Sequence, residues 1–209
     1  WPKASSVITA HDGSRVDALI VGVPASATSI SETGADATPG AIRKALARYS
    51  LAHSHSAVNL EKVMIADAGD VISTDIDEDA TISLLRSARL KSTLLIALGG
   101  DNSITYATHM GAEATGLITL DAHYDLRDGI SNGSPVRRLI EAGLSGKRVV
   151  QIGIADFSNS PEYAARAKEY GITVIPRSEL RGANLPEIWS RALAIAGDRI
   201  HVDFDMDVC

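Results

Sequence analysis

The sequence predicts an α/β protein of three layers, α-β-α, in which helices cover both faces of a mainly parallel sheet. Two observations lead to this fold class. Short apolar runs rich in Val, Ile and Leu are typical of strands that are buried on both faces. These runs alternate along the chain with amphipathic stretches of helical period, which is the pattern of βαβ units joined by right-handed crossovers.

Seven of the apolar runs are predicted to be strands. Their apolar character is continuous rather than strictly alternating, so both faces of the sheet are expected to be covered. In chain order they span 18–23, 63–66, 93–98, 116–120, 148–154, 172–175 and 200–204. The stretch 24–37, which is rich in Ser, Thr, Ala and Gly, is interpreted as a long loop at the carboxyl ends of the strands.

Six amphipathic stretches are predicted to be helices. The first opens with Thr38 as its N-cap and Pro39 at the first helical position, where proline is favoured. The others span 79–90, 102–110, 135–142, 161–170 and 185–196. Glycine favours the position after a helix because it adopts a left-handed backbone conformation without steric cost. It stands just past four of these stretches, at Gly111, Gly143, Gly171 and Gly197.

Length and composition indicate one globular domain that spans residues 1–209. The formal net charge of −6 and the absence of a Lys and Arg cluster argue against a nucleic-acid partner. No apolar run approaches the roughly 18 to 20 residues of a membrane span, so no membrane partner is expected. With Cys209 as the only cysteine, we expect no disulfide framework and a cytoplasmic location.

Two acidic runs follow predicted strands, Asp-Ala-His-Tyr-Asp at 121–125 and Asp-Phe-Asp-Met-Asp at 203–207. In a strand every second side chain faces the same side, so each run would crowd carboxylates together, where like charges repel unless a cation binds. Either run alone could be a solvated strand end or turn. Together with the Gly-Gly-Asp-Asn turn at 99–102, they predict one metal site at the carboxyl ends of the strands.

The predicted ligands also indicate which metal is expected. Carboxylate oxygens with a single imidazole form a mostly hard set, which suits Mn²⁺, leaves Zn²⁺ and Fe²⁺ open and makes Ca²⁺ less suitable. Two ions, rather than one, would balance about four aspartates.

Three motifs of the sequence resemble the metal-binding signatures of the ureohydrolase family, which includes arginase, agmatinase and formimidoylglutamase. They are Gly-Gly-Asp-Asn-Ser at 99–103 and the two acidic runs at 121–125 and 203–207. The segment 34–43 is also similar to the N-terminal loop and helix start of that family. The resemblance implies an arginase-like fold, a pair of manganese ions, a homo-oligomer and hydrolysis of a C–N bond in a small linear amidine.

Carried over to this chain, the resemblance implies six metal ligands. They are Asn102, Asp121, His123, Asp125, Asp205 and Asp207. Asp121 and Asp205 would bridge the two ions, and Asp125 would also act in catalysis by orienting the attacking hydroxide.

The sequence departs from the family pattern at two positions. Asn102 stands where arginases carry a histidine, and its neutral amide oxygen predicts that one of the two metal sites is weaker. Asn132 stands where guanidine-hydrolysing members place a histidine that moves protons, and an amide cannot transfer a proton at neutral pH. The second departure is similar to the formimidoylglutamase branch, and Ser131 and Asn132 are predicted to bind substrate.

The function predicted from these residues is the Mn-dependent hydrolysis of formimidoylglutamate to glutamate and formamide. Two alternatives stay open. One is an agmatinase or guanidinobutyrase in which another residue moves the proton, and the other is a non-catalytic metal-binding or regulatory member of the family. In the family sheet a further strand follows the Asp-x-Asp strand, so we expect the natural protein to continue beyond Cys209.

Overall fold

The structure is a computed structural model that describes residues 1–209. Contacts within the chain divide it into two compact units, Trp1–Ala112 (unit 1) and Glu113–Cys209 (unit 2). Each unit contains a four-stranded sheet whose strands all pair in parallel. The predicted α/β class with parallel strands is therefore confirmed, while the single domain over residues 1–209 stays a prediction.

Unit 1 is built on a sheet with the strand order β1-β3-β2-β4. Its strands are β1 (Ile8–Ala10), β2 (Val16–Val23), β3 (Ile65–Asp70) and β4 (Ser92–Gly99). Its helices are α1 (Thr38–Leu46), α2 (Glu78–Leu90) and α3 (Ile104–Ala112). Leu85 of α2 and Ala107 of α3 pack against β2 at Leu19 and Val21 on one face of the sheet. The helix α1 lies on the other face, where Pro39 approaches Gly22.

Unit 2 is built on a sheet with the strand order β7-β6-β5-β8. Its strands are β5 (Gly116–Leu120), β6 (Val149–Ile154), β7 (Thr173–Pro176) and β8 (Ile200–Phe204). Its helices are α4 (Pro135–Glu141), α5 (Pro161–Tyr170) and α6 (Leu185–Ala196). Ala192 and Ala196 of α6 pack against Ile118 and Val150 on one face. The opposite face carries Leu117, which is also fully buried.

All seven predicted strands are present, with ends shifted by a few residues, and β1 is an eighth strand that the sequence did not predict. The prediction that Gly111 follows a helix is wrong, because α3 continues to Ala112. A Cβ atom at Gly111 would lie 2.6 Å from the Cβ atom of Leu85, so this glycine permits close packing of α2 on α3.

The predicted N-cap of α1 is wrong, whereas three of the glycines predicted to follow helices are confirmed. Thr38 is not an N-cap, because it is the first residue of α1 and Ala37 occupies the capping position without a side-chain hydrogen bond. Three of the predicted glycines do follow helices with positive φ: Gly143 (109°), Gly171 (75°) and Gly197 (91°). The longest helix, α2, has 13 residues. None of the helices combines the length and apolar character needed to cross a bilayer.

Candidate metal centre

The two acidic runs of unit 2 lie where strands end: the first begins directly after β5, and the second begins at Asp203, within β8. The strand β5 ends at Leu120 and β8 ends at Phe204, so the expectation that strand alternation aligns the carboxylates is wrong. The run 121–125 has no regular secondary structure, and Asp125 has a φ of 53°, a left-handed conformation that aspartate tolerates better than most residues. Met206–Val208 form a short 3-10 turn. Turns, rather than strands, therefore direct these side chains.

Three of the predicted ligands come together at these turns. One ligand atom from each of Asp121, His123 and Asp207 lies within 4.8 Å of the other two. His123 Nδ1 is 2.9 Å from Asp207 Oδ2 and 3.6 Å from Asp121 Oδ1. Asp121 is buried, whereas the side chains of His123 and Asp207 are half-exposed, so the group opens towards solvent. This geometry permits one cation to contact two carboxylates and an imidazole.

Backbone amides fix the carboxylates of this group. The N–H of His123 donates to Asp121 Oδ1 at 2.6 Å, and the N–H of Ala122 donates to Asp207 Oδ1 at 3.0 Å. The N–H of Asp207 in turn donates to Asp205 Oδ1 at 3.1 Å. Since one oxygen of Asp207 is held by the backbone, its other oxygen is directed to His123.

The electrostatics of the group favour a bound cation. Burial raises the pKa of the Asp125 carboxyl, and the carboxylate of Asp121 raises that pKa further. Burial also raises the pKa of Asp205. The neighbouring carboxylates of Asp121 and Asp207 raise the pKa of the His123 imidazole. A divalent cation would offset the repulsion among these carboxylates, so the donor set fits Mn²⁺.

Three polar side chains lie side by side on paired strands of the sheet of unit 2. Thr119 of β5 aligns with Gln151 of β6 and with Asp203 of β8, so their side chains share one face. Gln151 and Thr119 are fully buried. Gln151 Nε2 donates to the carbonyl of Tyr124 at 2.9 Å. The sequence analysis missed Gln151, although a lone amide within the apolar strand Val149–Ile154 is a signal that can be read from the sequence.

A second amide side chain holds the same segment. Asn159 lies in the loop between β6 and α5, and its Nδ2 donates to the carbonyl of Ala122 at 2.9 Å. Its Oδ1 accepts from the N–H of Tyr124 at 3.1 Å. The sequence analysis missed Asn159 as well, because the run Ser-Asn-Ser-Pro before a helix is typical of an ordinary helix start.

Comparison with known proteins identifies the family. The sequence model of the arginase family matches residues 16–209, which include all three motifs. The chain belongs to the arginase family. The resemblance seen in the three sequence motifs is therefore confirmed.

The members of the arginase family that are similar to this chain include proteins named formimidoylglutamase. The chain is 36% identical over 227 residues to the formimidoylglutamase of Halalkalibacterium halodurans, an alignment that covers 99% of this chain and 70% of that protein. The crystal structure of formimidoylglutamase from Bacillus subtilis subsp. subtilis str. 168 matches with a TM-score of 0.88 at 31% identity, covering 99% of this chain and 70% of that one. The structure of Trypanosoma cruzi formiminoglutamase with Mn²⁺ has the same fold, with a TM-score of 0.90 at 23% identity, covering 99% and 75%.

The predicted substrate residues of this arginase-family chain lie in a tight turn before α4. The N–H of Ser131 donates to Ser134 Oγ at 2.9 Å, and the N–H of Gly133 donates to Ser131 Oγ at 3.2 Å. Ser131 and Asn132 are both half-buried. The turn is thus internally held, and the role of these two residues in substrate binding stays a prediction.

Asn102, the remaining predicted ligand, belongs to unit 1. It follows β4, and its Oδ1 accepts from Thr105 Oγ1 at 2.9 Å at the start of α3. The preceding residue, Asp101, is buried and accepts from the hydroxyls of Ser29 and Ser103. The turn that carries Asn102 is therefore fixed within unit 1, and the part of Asn102 in metal binding stays a prediction.

Proposed function

We propose that the protein is a manganese-dependent hydrolase that converts formimidoylglutamate and water to glutamate and formamide. The observation that carries this proposal is the group of Asp121, His123 and Asp207, whose ligand atoms lie within 4.8 Å of one another. Membership of the arginase family supports it. The similarity to proteins named formimidoylglutamase supports the choice of substrate.

The residues of unit 2 have distinct tasks in this proposal. Bound divalent cations would supply a nucleophile, since they lower the pKa of a water molecule to about 7. Asp121, His123 and Asp207 would hold one ion, and Asp205 would contribute to a second. Asp125, which is buried beside Asp121, accepts a hydrogen bond from the attacking water and directs it at the amidine carbon.

The substrate side of the proposal concerns the turn that contains Ser131 and Asn132. These side chains offer a hydroxyl and an amide, which form hydrogen bonds with an amidine or a carboxylate without changing their own charge. Asn132 cannot transfer a proton at neutral pH, so the leaving amine, which needs a proton from guanidino and formimidoyl substrates alike, would receive it from another group. The choice of a formimidoyl substrate therefore rests on the similarity to proteins named formimidoylglutamase.

Activity assays with the purified protein test the proposal. The protein is loaded with Mn²⁺, its metal content is measured by mass spectrometry, and turnover is followed with formimidoylglutamate, agmatine, guanidinobutyrate and arginine. We expect formamide from the first substrate and two manganese ions per chain. The weaker of the two sites should lose its ion first on dialysis, because Asn102 is a neutral ligand.

Other outcomes of the assay would identify the alternatives. Release of urea from agmatine or guanidinobutyrate, without formamide from formimidoylglutamate, would replace the proposed substrate. Metal binding without turnover of any of the four compounds would identify a non-catalytic member of the family. A homo-oligomer and a cytoplasmic location belong to the same proposal, and light scattering of the purified protein tests the first.

A further inference from the structure

The segment 121–125 of unit 2 needs contacts from other parts of the chain to keep its conformation. It carries candidate metal ligands but lies beyond the end of β5, and main-chain groups pair only part of its backbone. The N–H of Asp121 donates to the carbonyl of Ile152 at 3.0 Å, and the carbonyl of Ala122 accepts from the N–H of Ala155 at 3.0 Å. Buried backbone groups nevertheless need hydrogen-bond partners. In addition, the carboxylates of Asp121 and Asp207 converge there, with ligand atoms within 4.8 Å of one another. Some other part of the chain must hold this segment in place.

Asn159 forms two further hydrogen bonds with this segment, one on either side of His123. Its Nδ2 donates to the carbonyl of Ala122 at 2.9 Å, and its Oδ1 accepts from the N–H of Tyr124 at 3.1 Å. This network fixes the orientation of the amide, because a flipped amide would place donor against donor and acceptor against acceptor. A single side chain therefore links the backbone before and after His123 and limits how far that residue can move.

Gln151 provides a third partner from beneath the segment. It is fully buried, and its Nε2 donates to the carbonyl of Tyr124 at 2.9 Å. Burying an amide in an apolar strand is unfavourable unless the amide forms a hydrogen bond. The hydrogen bond with Tyr124 satisfies Nε2 of Gln151, whereas its Oε1 is buried without a hydrogen-bond partner.

We propose that Asn159 and Gln151 are positioning residues that hold the backbone of 122–124 so that His123 and Asp121 face Asp207 before a cation binds. Both amides are neutral, so they hold the segment without adding charge to the carboxylate group. The effect extends to Asp207, because its Oδ1 accepts from the N–H of Ala122, whose carbonyl Asn159 holds. This inference rests on the proposed metal site of the chain.

Measurement of Mn²⁺ affinity in the absence of substrate tests this inference. The variants are Asn159→Ala, which removes all the contacts of the amide, and Gln151→Met, which keeps a similar volume but removes the donor. Partners that orient metal ligands typically change metal affinity by 10 to 100-fold when they are mutated. By titration calorimetry we expect Asn159→Ala to weaken Mn²⁺ binding by about 10 to 100-fold and Gln151→Met by about 10-fold or less.

The matched control is Asn184→Ala in the same unit. Asn184 is exposed at the start of α6 and makes no side-chain capping hydrogen bond. We expect this variant to bind Mn²⁺ as the unchanged protein does. Circular dichroism and thermal unfolding in a chelator establish that each variant is folded, and an unfolded Asn159→Ala is replaced by Asn159→Ser, which shortens the side chain without adding a charge.

Saturation with metal separates a positioning role from a catalytic role. Excess Mn²⁺ should restore kcat of Asn159→Ala to within a few fold of the unchanged protein, because the bound cation then holds His123 in place. Unchanged Mn²⁺ affinity in folded Asn159→Ala and Gln151→Met would overturn the inference. If the unchanged protein hydrolyses no amidine, the proposed function is rejected. The comparison of Mn²⁺ affinities still decides whether Asn159 and Gln151 position the metal ligands.

Discussion

Asp67 of unit 1 and Asp125 of unit 2 are both shielded from solvent, but the pKa values of their carboxyl groups shift in opposite directions. Burial alone would raise the pKa of Asp67, yet hydrogen bonds from Arg43 and Gly69 outweigh burial and lower it. Burial raises the pKa of Asp125, and the nearby Asp121 raises it further. Unit 1 thus supplies a cation to its half-buried carboxylate from within the chain, whereas the metal site proposed for unit 2 takes one from outside.

The two units also differ in how they hold the turns that carry candidate ligands. In unit 1 the carboxylate of Asp101 is the anchor, and it accepts from the hydroxyls of Ser29 and Ser103 and from the N–H of Ser103. In unit 2 the anchors are the neutral amides of Asn159 and Gln151. The candidate ligand on the turn of unit 1 is the neutral amide of Asn102, so the charge of Asp101 does not repel it. In unit 2 the candidate ligands include carboxylates, and a further carboxylate as an anchor would increase the repulsion among them.

The largest effect is expected from Asp121→Asn, which removes a ligand and one of the repelling charges. Mn²⁺ affinity should fall by more than about 100-fold, since a direct ligand contributes more than the outer partners whose loss costs about 10 to 100-fold. Hydrolysis should fall with it. In a chelator, however, the melting temperature should rise, because the charge that raises the pKa of Asp125 is gone. Titration calorimetry and thermal unfolding measure the two effects.

Asp198→Asn is the matched control for that experiment, because Asp198 is an exposed aspartate of the same unit. Both its Mn²⁺ affinity and its melting temperature should match those of the unchanged protein. A lower melting temperature of Asp121→Asn in the chelator would contradict the view that repulsion among these carboxylates destabilises the metal-free state.

The same type of substitution should have the opposite effect on stability in unit 1. Asp101→Asn removes the charge from a buried anchor that accepts three hydrogen bonds, and hydrogen bonds to charged groups contribute about 1.5 to 3 kcal/mol. We expect the free energy of unfolding to decrease by about 2 to 3 kcal/mol. Urea denaturation measures this change, and an increase in stability would show that Asp101 is strained rather than satisfied.

The fold could be predicted from the sequence because each buried strand is a continuous apolar run. The ends of β5 (Gly116–Leu120) and β8 (Ile200–Phe204) agree with the prediction for this reason. The strand β1 was missed, since its three residues, Ile8–Ala10, are mostly exposed and carry no apolar pattern. Gly111 was misplaced because its role, close packing of α2 against α3, depends on a residue of another helix.

The site was predictable in its residue types but not in its geometry. The spacing of Asp121, His123 and Asp207 indicated a metal site, whereas the turns that bring them together depend on tertiary contacts. Asn159 reaches Tyr124 across 35 residues of chain, and Gln151 reaches it across 27. No local pattern specifies such contacts, so the role of Asn159 became evident only from the structure, whereas Gln151 stands out in the sequence as a lone amide in an apolar strand.

A smaller effect, with a pH dependence, is expected for the ion pair of unit 1. Arg43→Gln should lower the free energy of unfolding by about 1 to 2 kcal/mol at pH 7, because Arg43 donates to both oxygens of a largely buried Asp67. The pKa of Asp67 is lower in the folded state than its usual value of 3.8. Its contribution is therefore fully present above about pH 4 and is lost as the pH falls through the folded pKa.

Urea denaturation of Arg43→Gln and of the unchanged protein, at pH 7 and at pH 3, measures this dependence. The difference in stability between the two proteins should shrink at pH 3. The control, Arg48→Gln, changes an exposed arginine of the same unit and should have little effect at either pH. Arg43 also pairs with Asp70, so a difference that is the same at pH 7 and pH 3 would mean that Arg43 stabilises unit 1 by packing rather than through these two carboxylates.

The smallest effect is expected for Ser29→Ala, which removes one of the hydroxyls that donate to Asp101. The free energy of unfolding should fall by about 1 kcal/mol, less than in Asp101→Asn, because Ser103 still donates to the same carboxylate. Ser87→Ala, which changes an exposed helix serine, is the control. Since Ser29 acts through Asp101, its substitution should cost little further stability in an Asp101→Asn background. Additive losses in the double variant would instead indicate that Ser29 stabilises its loop independently of the charged anchor.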